Sequence, residues 1–127
     1  PTVYYGDEAG MEGWEDPFNR ACYPWGREDT ELKVWFARLA HLRLDCPALQ
    51  SGQLHWRWTS GPILAFAREL NGQLLTTVIN AADTPQSMTL PWSGAAPRDL
   101  LTGAVLSPAD NVLPLTLLPH QGLLLES

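Results

Sequence analysis

Basic residues are scarce in this chain: Lys and Arg together number 8 against 14 Asp and Glu, for a formal net charge of −6. A nucleic-acid surface needs clustered cations, and so does attachment to an anionic membrane, so the composition argues against both partners. Cysteine is nearly absent. Cys22 and Cys46 form no CxxC pair, and two thiols supply neither a disulfide framework nor a zinc site. They read as unpaired, partly buried thiols, which points to a reducing, cytoplasmic compartment. His41, His55 and His120 lack metal-ligand spacing and read as surface or interface histidines, so no metal and no cofactor is expected. There is no secretory leader and no apolar run near ~18 residues. An internal fragment would lack a leader in any case.

What is present divides the chain in two. Pro1 opens directly on a β-branched and aromatic run, residues 2–5, with no polar alternation. A strand buried on both faces reads this way, as in a parallel sheet. The chain therefore looks cut from something larger, because a domain seldom starts inside a buried element. The length of 127 residues suits one ordinary domain but not a whole α/β barrel, which takes roughly 250 residues. A loop follows, rich in Gly, Pro, Asp and Trp, and its aromatic and charged side chains suggest an ordered segment packed against something.

Residues 30–45 are predicted as a helix. Asp29 or Thr30 can cap it, and Glu31 suits the first turn of the helix dipole. Leu32, Trp35, Phe36, Leu39 and Leu42 recur at helical spacing and form one apolar face, expected to press on another apolar surface. Trp35 is assigned to the core. Pro47 ends the helix, since its ring disfavours helical geometry at the preceding residue.

After Gly52 the period changes to two. Leu54, Trp56 and Trp58 alternate with His55 and Arg57 and are placed on one strand face, as core or as a flat sugar platform. Ile63–Leu70 is a second strand. Asn71-Gly72 is a hairpin turn, since a type I′ turn needs positive φ at both positions. Further short strands are expected at 74–80, 88–92, 99–101, 104–106, 112–118 and 123–126, separated by turn residues. Strands at this spacing indicate an antiparallel sandwich or barrel.

Several segments resemble the α-amylase family of glycoside hydrolases. Pro-Thr-Val-Tyr-Tyr-Gly-Asp-Glu-Ala-Gly-Met (residues 1–11) is similar to the last barrel strand and its loop. Asp16-Pro17-Phe18-Asn19-Arg20 and Tyr23-Pro24-Trp25 resemble the neopullulanase, cyclomaltodextrinase and maltodextrin-glucosidase branch. Leu39-Ala40-His41-Leu42-Arg43, then Cys46-Pro47-Ala48-Leu49, resembles the final barrel helix and its exit. Asp99-Leu100-Leu101-Thr102-Gly103 and the segment 117–126 resemble the closing strands of the family's C-terminal sandwich.

The resemblance implies a mainly β chain: residues 1–50 as the terminal strand–loop–helix unit of a truncated (β/α)8 barrel, and 51–127 as the C-terminal antiparallel β-sandwich. It implies a parent enzyme that is a retaining α-glycosidase on maltodextrin, cyclodextrin or pullulan, using two carboxyl groups about 5 Å apart. In the family these come from earlier barrel strands, so no catalytic residue is carried over and the fragment itself is not expected to catalyse. The sandwich would brace the barrel, packing against the helix 30–45.

Asp7 and Glu8 are neighbours on the chain and cannot easily flank one glycosidic bond; they are structural or stand beside the active site. Arg20 either pairs internally with Asp7, Glu8 or Asp16 or lines a sugar subsite. Trp14 and Trp25 are candidates for substrate contact in the intact enzyme. Together Asp7, Glu8, Trp14, Arg20 and Trp25 are the candidate substrate-binding residues. Expected partners are an α-glucan oligosaccharide, the rest of the barrel, and a second copy joined through the N-terminal strand. The alternative is a non-catalytic module for carbohydrate binding, with Trp56, Trp58 or Trp92 as platform, or for oligomerisation.

Overall fold

The structure is a computed structural model and describes residues 2–127. The chain divides into two compact units, Pro1–Asp45 and Cys46–Ser127.

The second unit is an antiparallel two-sheet sandwich. Its strands are β1 (Gln53–Ser60), β2 (Ile63–Leu70), β3 (Gln73–Asn80), β4 (Gln86–Pro91), β5 (Arg98–Asp99), β6 (Val112–Leu117) and β7 (Gly122–Glu126). Five of them form a sheet in the order β1-β2-β3-β7-β5, and β4 pairs with β6 in a second sheet. The β2–β3 hairpin runs unbroken from Ile63↔Asn80 to Leu70↔Gln73. Asn71 (φ 51°) and Gly72 (φ 83°) close it, both in the left-handed region that a type I′ turn requires. Asp110 and Asn111 make a second two-residue turn at φ 51° and 61°, with Ala109 and Val112 exchanging both backbone hydrogen bonds.

The core lies between the sheets. Ile63, Ala65 and Val78 from β2 and β3, with Leu123 and Leu125 from β7, meet Met88, Leu90, Trp92, Leu113, Leu115 and Leu117. This is the period-two pattern expressed as burial, since alternate side chains of each strand point to one face.

Three local features depart from the expected pattern. The segment 104–106 is not a strand and makes only an isolated bridge, Val105 to Arg98. The turn at Thr102 and Gly103 is held so tightly to Asp99 that little length remains for a ladder. A second short helix, α2 (Pro47–Ser51), fills the stretch between the end of the long helix and Gly52, where no element was expected. Pro47 both stops one helix and starts the next, because its fixed φ suits the first helical position and its missing N–H is not needed there. Ala48 of α2 is fully buried on β2 and β3; its N–H reaches Gln73 Oε1 and its carbonyl accepts from Arg68 Nε at 3.3 Å. Gly52 then leaves no room for a side chain, since a Cβ would overlap the Ala48 carbonyl oxygen.

The third departure is a β-bulge. Trp56 opposes Phe66, but Trp58 opposes Ala65, so Arg57 is the extra residue. An inserted residue reverses the alternation, so the two tryptophans leave opposite faces of the sheet. The expectation that they share a face fails for that reason. Trp58 packs on the core, and Trp56 stands on the outer face, 63% exposed.

In the first unit, α1 (Thr30–Asp45) has the expected bounds. Asp29 is its cap, with Oδ1 accepting the Leu32 N–H at 2.9 Å. None of its residues is buried. Trp35 is 40% exposed and Leu39 38%, so Trp35 is not a core residue. The Arg38 guanidinium sits 5.7 Å from the Trp35 ring centroid and covers part of it. One helix and one irregular segment contain too little apolar surface to cover a stripe of this width. The expected strand at residues 2–5 is likewise not formed. A strand needs a neighbour for its N–H and C=O groups. Here Tyr4 and Asp7 satisfy each other instead: Tyr4 N–H donates to Asp7 Oδ2 at 3.1 Å and Asp7 N–H to Tyr4 O at 2.9 Å.

Candidate functional site

Asp7 and Glu8 belong to a single 3-10 turn, Asp7–Ala9, between Gly6 and Gly10, both left-handed. The turn is anchored by buried Ala9, whose carbonyl accepts the Asp29 N–H at 3.1 Å. The loop therefore returns on itself to the start of α1. Glu8 is half-buried and lines a depression of about 520 Å³ with Val3, Tyr5, Lys33 and Phe36. Asp7 is exposed and spends one oxygen on Tyr4.

Arg20 Nε lies 2.8 Å from Asp16 Oδ1, with both side chains largely in solvent. Of the internal partners considered for Arg20, the one it meets is Asp16. Trp14 and Trp25 are both strongly exposed. Trp25 leans on Tyr23, with ring centroids 4.6 Å apart. So the loop brings Asp7 beside Glu8, Asp16 beside Arg20, and Tyr23 beside Trp25, while the depression that holds Glu8 does not include Trp14, Arg20 or Trp25.

Lys33 in that depression pairs with Glu28 at 3.5 Å. Its electrostatic interaction with Tyr23, and then with the Glu28 carboxylate, raises the Lys33 ammonium above its usual range. A backbone hydrogen bond lowers Glu28, with the charge of Lys33 adding to it.

The thiols are unbridged, with Cys22 exposed and Cys46 buried. Among the described residues, no group of three or more His, Cys, Asp or Glu is placed to hold a metal ion. No helix among the described residues is long and apolar enough to cross a membrane. His55 lies 3.6 Å from Glu69, and His120 lies 2.8 Å from Asp83.

In the sandwich, two buried polar residues tie turns to strands. Asp99 is 1% exposed. Its Oδ1 accepts N–H groups from Leu101 at 3.1 Å and Leu124 at 3.0 Å, and its Oδ2 accepts the Thr102 hydroxyl at 2.6 Å. Asn80, also buried, donates from Nδ2 to the carbonyls of Thr84 and Leu118 and accepts the Ala82 N–H. Both fall at the ends of expected strands, and nothing in the local pattern marks a buried hub. Trp92 is 4% exposed and donates Nε1 to the Ala95 carbonyl at 3.0 Å, so it cannot serve as a sugar platform.

The class defined here is a small antiparallel two-sheet sandwich, preceded along the chain by a helix and a Gly-, Pro- and Trp-rich loop. The chain belongs to the maltogenic amylase C-terminal domain family, whose profile matches residues 59–124. An amylopullulanase of Thermoanaerobacter thermohydrosulfuricus is 34% identical over 87% of this chain and 8% of that protein. Neopullulanase 2 of Thermoactinomyces vulgaris is 32% identical over 98% of this chain and 23% of its own length. The solved debranching enzyme from Nostoc punctiforme superposes with a TM-score of 0.86 at 28% identity, over 100% of this chain and 28% of that one. The chain thus spans from under a tenth to somewhat over a quarter of the relatives it matches.

Proposed function

We propose that this chain is the C-terminal portion of a retaining α-glycosidase acting on α-glucans such as maltodextrin, cyclodextrin or pullulan. One observation carries the reading: loop, helix and sandwich together align with relatives named neopullulanase and amylopullulanase, yet make up only a small part of each. Residues 1–50 then act as the terminal barrel segment and 51–127 as the brace. The outer face of the five-stranded sheet supplies apolar area for bracing, through Leu64, Phe66 and Ile79. Asp7, Glu8, Trp14, Arg20 and Trp25 line the mouth of the active site, contacting sugar or holding the loop that does. The unbridged thiols support a cytoplasmic location.

The chain by itself is expected to release no sugar from maltodextrin, cyclodextrin or pullulan, because a retaining mechanism needs a nucleophile and an acid about 5 Å apart. Asp7 and Glu8, consecutive on one turn, do not flank a cleft. Reducing-sugar release by the pure chain, abolished by Asp7→Ala or Glu8→Ala, would show that catalysis resides here.

The exposed apolar side chains of Val3, Tyr4 and Tyr5 favour association through the N-terminal segment with a second copy. Sedimentation of the chain should show a dimer that is lost in a chain starting at Asp29. Two monomeric species would exclude this mode.

A further inference from the structure

We propose that Asn71 is a site of spontaneous covalent modification, at which the side-chain amide is lost through a succinimide to give aspartate and isoaspartate. The nucleophile in this reaction is the backbone nitrogen of the following residue. That nitrogen must shed its proton and reach the Asn Cγ, so a free N–H on an unobstructed residue favours it. The chain has four asparagines, at positions 19, 71, 80 and 111. Three of them precede an N–H already committed to the backbone: Arg20 donates to the Pro17 carbonyl at 3.2 Å, Ala81 to the Pro62 carbonyl at 2.9 Å and Val112 to the Ala109 carbonyl at 2.9 Å. Asn80 is also buried, with its own amide held by the Thr84 and Leu118 carbonyls. Gly72 differs. Its N–H makes no hydrogen bond among the described residues, it is exposed, and nothing lies within 4 Å of the place a Cβ would take. Asn71 is exposed as well.

The residue pair that closes the β2–β3 hairpin thus also holds the two reacting groups. The Gly72 nitrogen gives its proton to solvent base and bonds to Asn71 Cγ; the side-chain nitrogen takes up a proton and leaves as ammonia. Water then opens the ring. Cleavage of the Cγ–N bond gives aspartate. Cleavage between the Gly72 nitrogen and the Asn71 main-chain carbonyl gives isoaspartate, with the chain running through Cβ and Cγ. Only water is consumed. Asn71 leaves its φ 51° turn conformation to bring Cγ over the nitrogen, and opening the tip costs little, since nothing packs where a Gly72 side chain would be. The two products differ in consequence. Aspartate keeps the turn and adds one negative charge. Isoaspartate lengthens the backbone of a two-residue turn whose closing pair is Leu70↔Gln73. The Gln73 side chain accepts the Ala48 N–H at 3.4 Å and donates to Glu126 Oε1 at 3.4 Å. A longer turn therefore displaces the side chain that ties α2 and β7 to β3. None of this depends on the hydrolase reading.

The test is incubation of the folded 127-residue chain in mildly alkaline buffer, followed by mass spectrometry of the intact chain and of its peptides. The chain should gain one mass unit, assigned by fragmentation to Asn71, at a rate that rises with hydroxide concentration. Asn71 should react about tenfold or more faster than Asn19, Asn80 or Asn111. Asn71→Gly keeps a residue that tolerates positive φ and removes the amide, so it should show no such gain. Its far-UV circular dichroism should match the parent. Electron-transfer fragmentation distinguishes isoaspartate from aspartate, and the purified isoaspartyl form should unfold at lower urea than Asn71→Asp. A folded parent that gains no mass, a gain seen only in urea, a gain centred on another asparagine, or one undiminished in Asn71→Gly overturns the proposal. An isoaspartyl form as stable as Asn71→Asp overturns the link through Gln73.

Discussion

Trp92→Ala is expected to destabilise the sandwich by about 4 kcal/mol, the range for removing a large aromatic from a packed core. Trp92 follows β4 directly and packs among Leu90, Leu113 and their neighbours between the sheets. Two losses combine. The indole leaves a cavity that the β4–β6 pair cannot fill, since only two strands form that sheet. The Ala95 carbonyl loses its Nε1 donor, and with it a link across the turn that contains Gly94. Trp92→Phe should cost less, about 1–2 kcal/mol, because most of the volume stays and only the hydrogen bond and ring edge go. Urea unfolding followed by far-UV circular dichroism would measure both. A Trp92→Ala variant with a parental midpoint would mean that the ring does not hold the two sheets together.

Asp99→Ala is expected to cost about 3 kcal/mol, a large share of the 5–15 kcal/mol that a domain usually has. The carboxylate is fully enclosed and accepts three hydrogen bonds from the turn and from β7. Truncation strands the buried Leu124 N–H, whose desolvation is then uncompensated. It also frees the turn at Thr102 and Gly103, where Gly103 N–H donates to the Asp99 carbonyl at 2.7 Å. Asp99→Asn separates the parts of this effect. Its carbonyl oxygen can still accept from Leu101 and Leu124, and its amide can donate to the Thr102 oxygen, so it should cost less than half as much. Thr102→Ala, which removes one partner at the rim, should cost about 1 kcal/mol. Equal losses for Asp99→Ala and Asp99→Asn in the same urea titration would point to charge, not hydrogen-bond geometry, as the source of the effect.

The placement of Trp56 and Trp58 shows how local pattern and ladder register divide the work. Alternation along Leu54, Trp56 and Trp58 was legible, and so was the strand. One extra residue at Arg57 then reversed the face, and no residue type announces that insertion; it is decided by which partner each residue finds on β2. The candidate loop residues divide likewise. That Arg20 would find an acidic partner was legible from composition, and its meeting Asp16 follows from the local turn.

The sequence by itself determined the elements whose causes are local. The cap at Asp29, the stop at Pro47 and the φ demands met by Asn71-Gly72 act within a few residues, so helix α1 and the β2–β3 hairpin were readable. The family was readable too, because its signatures are contiguous. Tertiary structure alone decided the rest. Residues 2–5 have the composition of a buried strand but form none, since a strand exists only by pairing. The apolar face of α1 is written in the sequence, yet its burial belongs to whatever surface it meets. The carboxylate of Asp99 became a structural hub only when β7 folded across it and offered the Leu124 N–H.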